Sequence, residues 1–168
     1  MSGVGPTTTL QPRFSSEGAT STAWIDAREF LDSARIYWLA TVRPDGRPHV
    51  TPLFSVLVDG ALYFSTGPGE RKAKNLAANS HCVILTGCNQ VDGLDVVVEG
   101  EAVRVIDEHR LQHIAAHYAS KYNWHYRVRD GAFSGPGGEA LVFEVQPTTA
   151  FGFGKGERFS QTRWRFEG

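Results

Sequence analysis

Short runs of apolar residues recur along this chain, and their period switches several times between helical and strand-like spacing. Residues 1–22 have no such period. Ser, Thr, Gly and Pro dominate there, burial cannot offset the entropy of ordering them, and the pattern predicts a disordered tail. It is not read as a signal peptide, because no basic start leads into an apolar stretch of about 7–15 residues. From Ala23 the pattern becomes periodic, so residues 23–168 are read as one folded domain. Trp24, Ala27, Phe30 and Leu31 share one side of a helical wheel, with Ser21 or Thr22 placed to cap the first turn.

Strand-like spacing begins at Ile36. Residues 36–42 are β-branched and aromatic and lead into Asp45-Gly46, a pair that predicts a tight hairpin. A second strand over 49–58 and a third over 61–65, joined at Asp59-Gly60, extend this into a three-stranded meander. Residues 70–79 carry Ala73, Leu76 and Ala77 at i, i+3 and i+4, which predicts a helix with that face inward. Strands follow over 82–86 and 95–106, the latter bent at Gly100. Asp107 then caps a helix whose buried stripe is Leu111, Ile114, Ala115 and Tyr118. Residues 121–138, rich in Gly, read as a long connection forming a lid or a dimer contact. Residues 140–145 and 162–166 bring the total to about seven strands. Sequential antiparallel strands with few helices predict a mainly β fold, a small closed barrel rather than a parallel α/β sheet.

Composition narrows this. A chain of 168 residues can bury one core without disulfide support. Its 18 Gly, 8 Pro and 11% aromatic residues suit many turns around a core of Phe, Trp and Tyr. Cys82 and Cys88 form neither a disulfide framework nor a CxxC metal pair, which fits a reducing, cytoplasmic setting. Lys and Arg total 17 against 18 Asp and Glu, and a net charge of -1 argues against a nucleic-acid partner. No apolar run approaches the roughly 20 residues of a membrane span.

The charge placement matters more than its sum. Ser65-Thr66-Gly67-Pro68-Gly69 runs from a strand end into a helix that opens with Arg71 and Lys72 and continues with Lys74 and Asn75. A helix N-terminus is already partly positive, so cations in the first turn are misplaced unless an anion binds there. The segment is therefore either a phosphate site or a solvated basic face. His49-Val50-Thr51-Pro52-Leu53 is an apolar strand in which Pro52 cannot donate a ladder hydrogen bond, which places it at a sheet edge or a bulge. Its free backbone groups could pair with a planar heterocycle, with Phe54 or Leu53 covering the face. Residues 151–156 lack the phosphate-loop spacing and read as a flexible turn. His109, His113 and His117 have metal-ligand spacing but point away from the apolar stripe, and no metal site is assigned. No spacing defines a nucleophile or a triad, so no catalytic residue is named.

Taken in order, the segments 37–52, 62–66, 71–76 and Thr162-Arg163-Trp164-Arg165-Phe166 resemble the split-barrel flavin-binding family related to pyridoxamine 5'-phosphate oxidase. Within it they look most like the actinobacterial branch that uses the deazaflavin coenzyme F420. The resemblance spans about residues 23–166. It implies an antiparallel split β-barrel of about six to seven strands, a homodimer, and cofactor sites formed between subunits. Ser65, Thr66, Arg71 and Lys72 would hold the cofactor phosphate, with Lys74 and Asn75 nearby. Val50, Thr51, Pro52 and Leu53 would run along the ring, with His49 at its margin, and Trp164 and Trp124 would reach in from the second subunit. The C-terminal segment lacks the substrate-phosphate motif of true pyridoxamine phosphate oxidases, which argues against vitamin B6 oxidation. The implied activity is hydride transfer from reduced F420 to a small electron-poor acceptor. The alternatives are an FMN-dependent oxidase or reductase, and a carrier that binds a flavin, deazaflavin or haem without turnover.

Overall fold

The computed structural model describes residues 5–87 and 89–167. In chain order it contains β1 (Thr7–Leu10), α1 (Trp24–Ser33), β2 (Tyr37–Val42), β3 (Pro48–Leu53), β4 (Ser55–Val58), β5 (Ala61–Thr66) and α2 (Arg71–Ala78). There follow β6 (His81–Thr86), β7 (Gly93–Val105), α3 (Glu108–Tyr122), β8 (Arg127–Arg129), β9 (Ala132–Gly135), β10 (Gly138–Lys155) and β11 (Ser160–Arg165). All pairings are antiparallel, and the main sheet runs β1-β11-β10-β7-β6-β2-β3. The expected mainly β fold of split-barrel type is what forms.

The split lies along β10. One edge of this long strand pairs with β7 almost throughout, while the other pairs first with β5 and then with β11. The change of partner coincides with a bulge between Pro147 and Thr149, where proline has no N–H to donate. Gly100 faces this bulge, and a Cβ on it would stand 2.4 Å from Gln146 O. Only glycine allows the two backbones so close. The bend expected at Gly100 is therefore a close approach of β7 to β10.

Two apolar clusters fill the fold. Inward residues of β2, β6 and β7, among them Tyr37, Leu39, Ile84, Val96 and Val98, pack with Leu31 and Trp164 inside the barrel. A second cluster lies beneath α3, where Leu111, Ile114, Ala115 and Tyr118 meet Val56, Tyr63 and Phe133. The α3 stripe and its Asp107 cap, which accepts from Arg110 N–H at 2.8 Å, follow the sequence pattern.

Several local expectations are corrected. Of the tail read as disordered, Thr7–Leu10 is a strand paired with β11, and Thr22 N–H donates to Thr162 Oγ1 at 2.9 Å; residues 1–4 lie outside the described residues. Short polar strands carry no hydrophobic period, so the edge of β11 supplies what the segment's own sequence does not. The α1 cap position is Ala23, with no side-chain cap. The single strand expected over 49–58 is broken at Phe54, so β3 pairs with β2 and β4 with β5. Phe54 O is instead taken by Tyr118 Oη at 3.0 Å. The long connection expected over 121–138 contains the β8–β9 hairpin, turning at Asp130-Gly131 with positive φ at both residues. Residues 151–155, read as a turn, belong to β10, and Gly152 lets the edge of the Trp164 ring press against the strand, since a Cβ there would meet it at 2.4 Å. Ala77 is exposed; α2 buries Lys72, Ala73, Asn75 and Leu76 instead. Cys82 is buried, and its thiol is pushed up to about 12 by burial and by Glu101, so it is chemically quiet; Cys88 lies outside the described residues.

Candidate functional site

The turn after β5 sets the site. Gly67-Pro68-Gly69 carries the chain from Thr66 to Glu70, the N-cap of α2, whose side chain makes no cap bond to the helix. The Glu70 carboxylate turns back instead, accepting Gly67 N–H at 2.9 Å and the Lys72 ammonium. Burial pushes this carboxyl up, but the bonds from Lys72, Gly67 N–H and Thr66 outweigh it and hold it below the ordinary carboxylate range. An acidic group thus already occupies part of the cationic helix start, as the sequence required of an anion.

Polar groups behind Lys72 converge on the β2–β3 hairpin. Asn75, fully buried, donates from Nδ2 to Thr41 Oγ1 at 3.0 Å, and His49 Nδ1 lies 3.5 Å from the same hydroxyl. His49 is held below the ordinary imidazole range first by desolvation and then by the positive charges of Arg43, Lys72 and Arg71. Desolvation and these three cations act in the same direction on the ring, which sits in a cationic setting. Asn75 Oδ1, Thr51 Oγ1 and Arg43 Nε are buried and have no protein partner. Such atoms are costly in a native fold and call for a polar ligand or ordered water. Arg71 and Lys74 lie on the exposed face of α2.

β3 ends the sheet order, so one of its edges has free backbone groups, as expected from Pro52. Its side chains alternate. Thr51 and Leu53 stand opposite Leu39 and Tyr37 on the inner face, while Val50 and Pro52 point outward. Leu53 is therefore in the core and cannot cover a ring with its side chain.

A cleft of about 580 Å3 continues from the α2 turn. Ser65, Thr66, Gly67 and Glu70 form one wall; Trp124, Tyr126 and the glycine-rich stretch into β10 form the other. Tyr126 is hydrogen-bonded to Ser65; burial pushes its phenol up, and that bond only partly offsets the effect. Trp124 stacks edge-on against Phe54, with ring centroids 4.4 Å apart, and Tyr126 lies flat on Phe133 at 4.6 Å. Trp124 thus reaches the cleft from the same chain as Ser65. Trp164 does not reach it: the ring is 0% exposed, packed on Trp24 at 5.3 Å, and a side chain with no surface cannot contact a cofactor. The pattern of Thr162-Arg163-Trp164-Arg165-Phe166 reflects alternate core and surface positions of β11.

Sequence reasoning missed Thr41, Arg43, Glu70 and Tyr126. The first two were within reach, because a turn at Asp45-Gly46 fixes a register that sets Thr41 opposite His49. Tyr126 had no such signal, since only tertiary packing of the β8–β9 hairpin brings it to Ser65. Among the described residues no cluster of three or more His, Cys, Asp or Glu is arranged to hold a metal. His113 faces Asp59 at 3.8 Å, and its ring lies 5.0 Å from that of His117. No helix of the described residues is long and apolar enough to cross a membrane.

An antiparallel split sheet with a polar cleft at its α2 corner defines the class of protein, and comparison places the chain within it. Residues 24–153 match the family model for pyridoxamine 5'-phosphate oxidase, and the chain belongs to that family. No curated protein matches it. Among solved structures, a conserved hypothetical protein from Mycobacterium tuberculosis is similar at 20% identity, covering 77% of this chain and 82% of its own, with a TM-score of 0.63. A candidate 5-nitroimidazole antibiotic resistance protein from Bacteroides thetaiotaomicron aligns over 97% of this chain and 93% of its own at 14% identity and a TM-score of 0.67. A FAD-binding protein from Mesorhizobium loti aligns over 84% and 95% at 21% identity and a TM-score of 0.56. At these identities the structural likeness concerns the fold.

Proposed function

We propose that this site binds an anionic flavin-type cofactor, coenzyme F420 in the first reading and FMN in the alternative, and that the protein is an oxidoreductase. The observation that carries the reading is the set of cations around His49: Arg71 and Lys72 at the start of α2 and Arg43 at the β2–β3 turn. The residues fit such a group. Lys72 and Arg71, with the hydroxyls of Ser65 and Thr66, would hold its phosphate; Lys74 adds charge at the rim, and fully buried Asn75 ties α2 to the β2–β3 hairpin behind them through Thr41. The free edge of β3 at Val50 and Pro52 would lie along the ring, with His49 at its margin. The FAD-binding neighbour from Mesorhizobium loti supports a flavin in this fold.

A bound flavin or deazaflavin supplies hydride transfer to an electron-poor acceptor. The protein's part is position and electrostatics. Glu70 keeps Lys72 oriented before binding, and an incoming phosphate competes for that ammonium. Trp124 and Tyr126 give the cleft an aromatic wall that orients a planar acceptor and excludes water from one side. The outer face of the sheet carries Trp38, Val50 and Phe153, exposed by 44%, 53% and 36%. That apolar face suits a second copy of the chain, making the protein a homodimer.

Parallel fluorescence titrations with F420 and FMN test the reading. F420 is expected to bind more tightly than FMN, and Lys72→Met to weaken it by about 1.5–3 kcal/mol, roughly ten- to a hundredfold in Kd. Tighter FMN binding would select the alternative cofactor. Affinity unchanged by Lys72→Met would move the phosphate elsewhere, and tight binding with no turnover of an enone, quinone and nitro panel would favour a carrier.

A further inference from the structure

Away from this cleft, one lysine is set up for chemistry of its own. Lys121, in the last turn of α3, donates from Nζ to Tyr37 Oη at 2.7 Å and to Ser55 O at 3.2 Å. The nitrogen also lies 4.9 Å from the Tyr37 centroid, past the hydroxyl it bonds, and 5.4 Å over the Tyr122 ring. Both acceptors are held in place: Tyr37 Oη donates to Leu31 O, and Ser55 O also accepts from Tyr122 Oη at 2.8 Å. Arg35 braces the backbone by donating to Lys121 O at 2.8 Å. Among the described residues Lys121 makes no ion pair, whereas Lys72 and Lys155 are bonded to Glu70 and Asp95.

Two N–H donors are what a neutral amine has, so these two bonds leave its lone pair uncommitted. Lys121 borders a hollow of about 200 Å3 shared with Asp32, His117 and Ser120, which gives that lone pair an approach. Burial, opposed by Asp32 and aided by Arg35, brings the ammonium down to about 8. The other titratable groups around it are Tyr37 on β2 and His117 and Tyr122 on α3.

We propose that Lys121 is a nucleophilic modification site for small activated acyl groups, carried as acyl phosphates or thioesters. Nζ attacks the acyl carbon and a C–N bond forms. The bond from that carbon to the phosphate oxygen or the thiolate sulfur breaks, and the surplus proton passes to water. The amide product has no charge and a single N–H, so the attraction to the Tyr122 ring and one of the two hydrogen bonds are lost. Tyr122 in turn touches Phe54 and Trp124, with centroids 5.3 and 5.4 Å away, so acylation reaches the aromatic wall of the cleft.

The chain has only four lysines, at 72, 74, 121 and 155, so peptide mass spectrometry resolves each one. Full-length protein is treated with limiting acetyl phosphate, and separately with an acetyl thioester, across a pH series. At pH 8 about half of Lys121 is neutral, against under about 1% of a lysine at the ordinary value near 10.4. Acetylation of Lys121 is expected to exceed that of exposed Lys74 by at least about tenfold. Its rate should level off above about pH 8, at higher pH in Arg35→Gln and at lower pH in Asp32→Asn, both changes being at exposed positions. An advantage with either donor supports the site and identifies its source. Lys121 reacting no faster than Lys74 with both donors, a rate rising without levelling through about pH 10, or shifts of the opposite sign would overturn it.

Discussion

His49 shows how one residue reports the character of a site. Its folded-state value lies below the ordinary imidazole range, through desolvation and then Arg43, Lys72 and Arg71. In the window just under about pH 6.5 the folded protein therefore binds fewer protons than the unfolded chain. Its contribution to stability rises with pH across that window and is lost as pH falls through it. An anion seated among the same cations reverses the field at the ring, so its binding should take up a proton. The ratio of cofactor Kd between His49→Gln and the native protein, measured from about pH 5.5 to 8, should grow toward the acid end. A flat ratio would show that the ring does not sense the anion. This residue's part in the site was partly legible from the sequence, because it lies beside the apolar edge strand. The cations that shift it were not, since Arg43 is 28 positions from Arg71, and only α2 docking on the β2–β3 hairpin brings them together.

At the scale of elements, β1 and β3 illustrate opposite readings of a sheet edge. Pro52 marks β3 as an edge by its residue type alone, because a missing N–H is a local fact. β1 has no comparable mark; its strand state depends on β11, more than 150 residues away in sequence. Deleting residues 1–11 should bare the edge of β11 and remove the Gln11 N–H bond to Gln161 O. The expected cost is on the order of 1–3 kcal/mol, a fall in Tm of about 3–12 °C for a domain of this size, measured by calorimetry. An unchanged Tm would make β1 an ornament of the sheet. The same logic explains β10, whose Gly152 suggested a turn but serves Trp164, which needs bare backbone opposite it.

For the whole molecule, the outer sheet face and the α2 corner belong to one reading: a second copy would cover the first while bordering the second. Trp38→Glu, placing a charge on an exposed position of that face, should convert a dimer to a monomer in sedimentation velocity and weaken cofactor binding along with it. A native protein that sediments as a monomer at micromolar concentration would remove the dimer from the proposal. What the chain determined by itself was whatever rests on neighbours in sequence: the Asp45-Gly46 hairpin, the α3 stripe, the antiparallel mainly β class, and the misplaced cations at the start of α2. Tertiary structure alone decided what depends on distant segments meeting. It took Trp164 out of the site and into the core, turned Leu53 inward, set Arg43 beside Arg71 and Lys72 around His49, and closed the cleft with Trp124 and Tyr126. The physical reason is that periodicity and turn chemistry act over a few residues, whereas burial and electrostatic fields are sums over whatever the fold brings close.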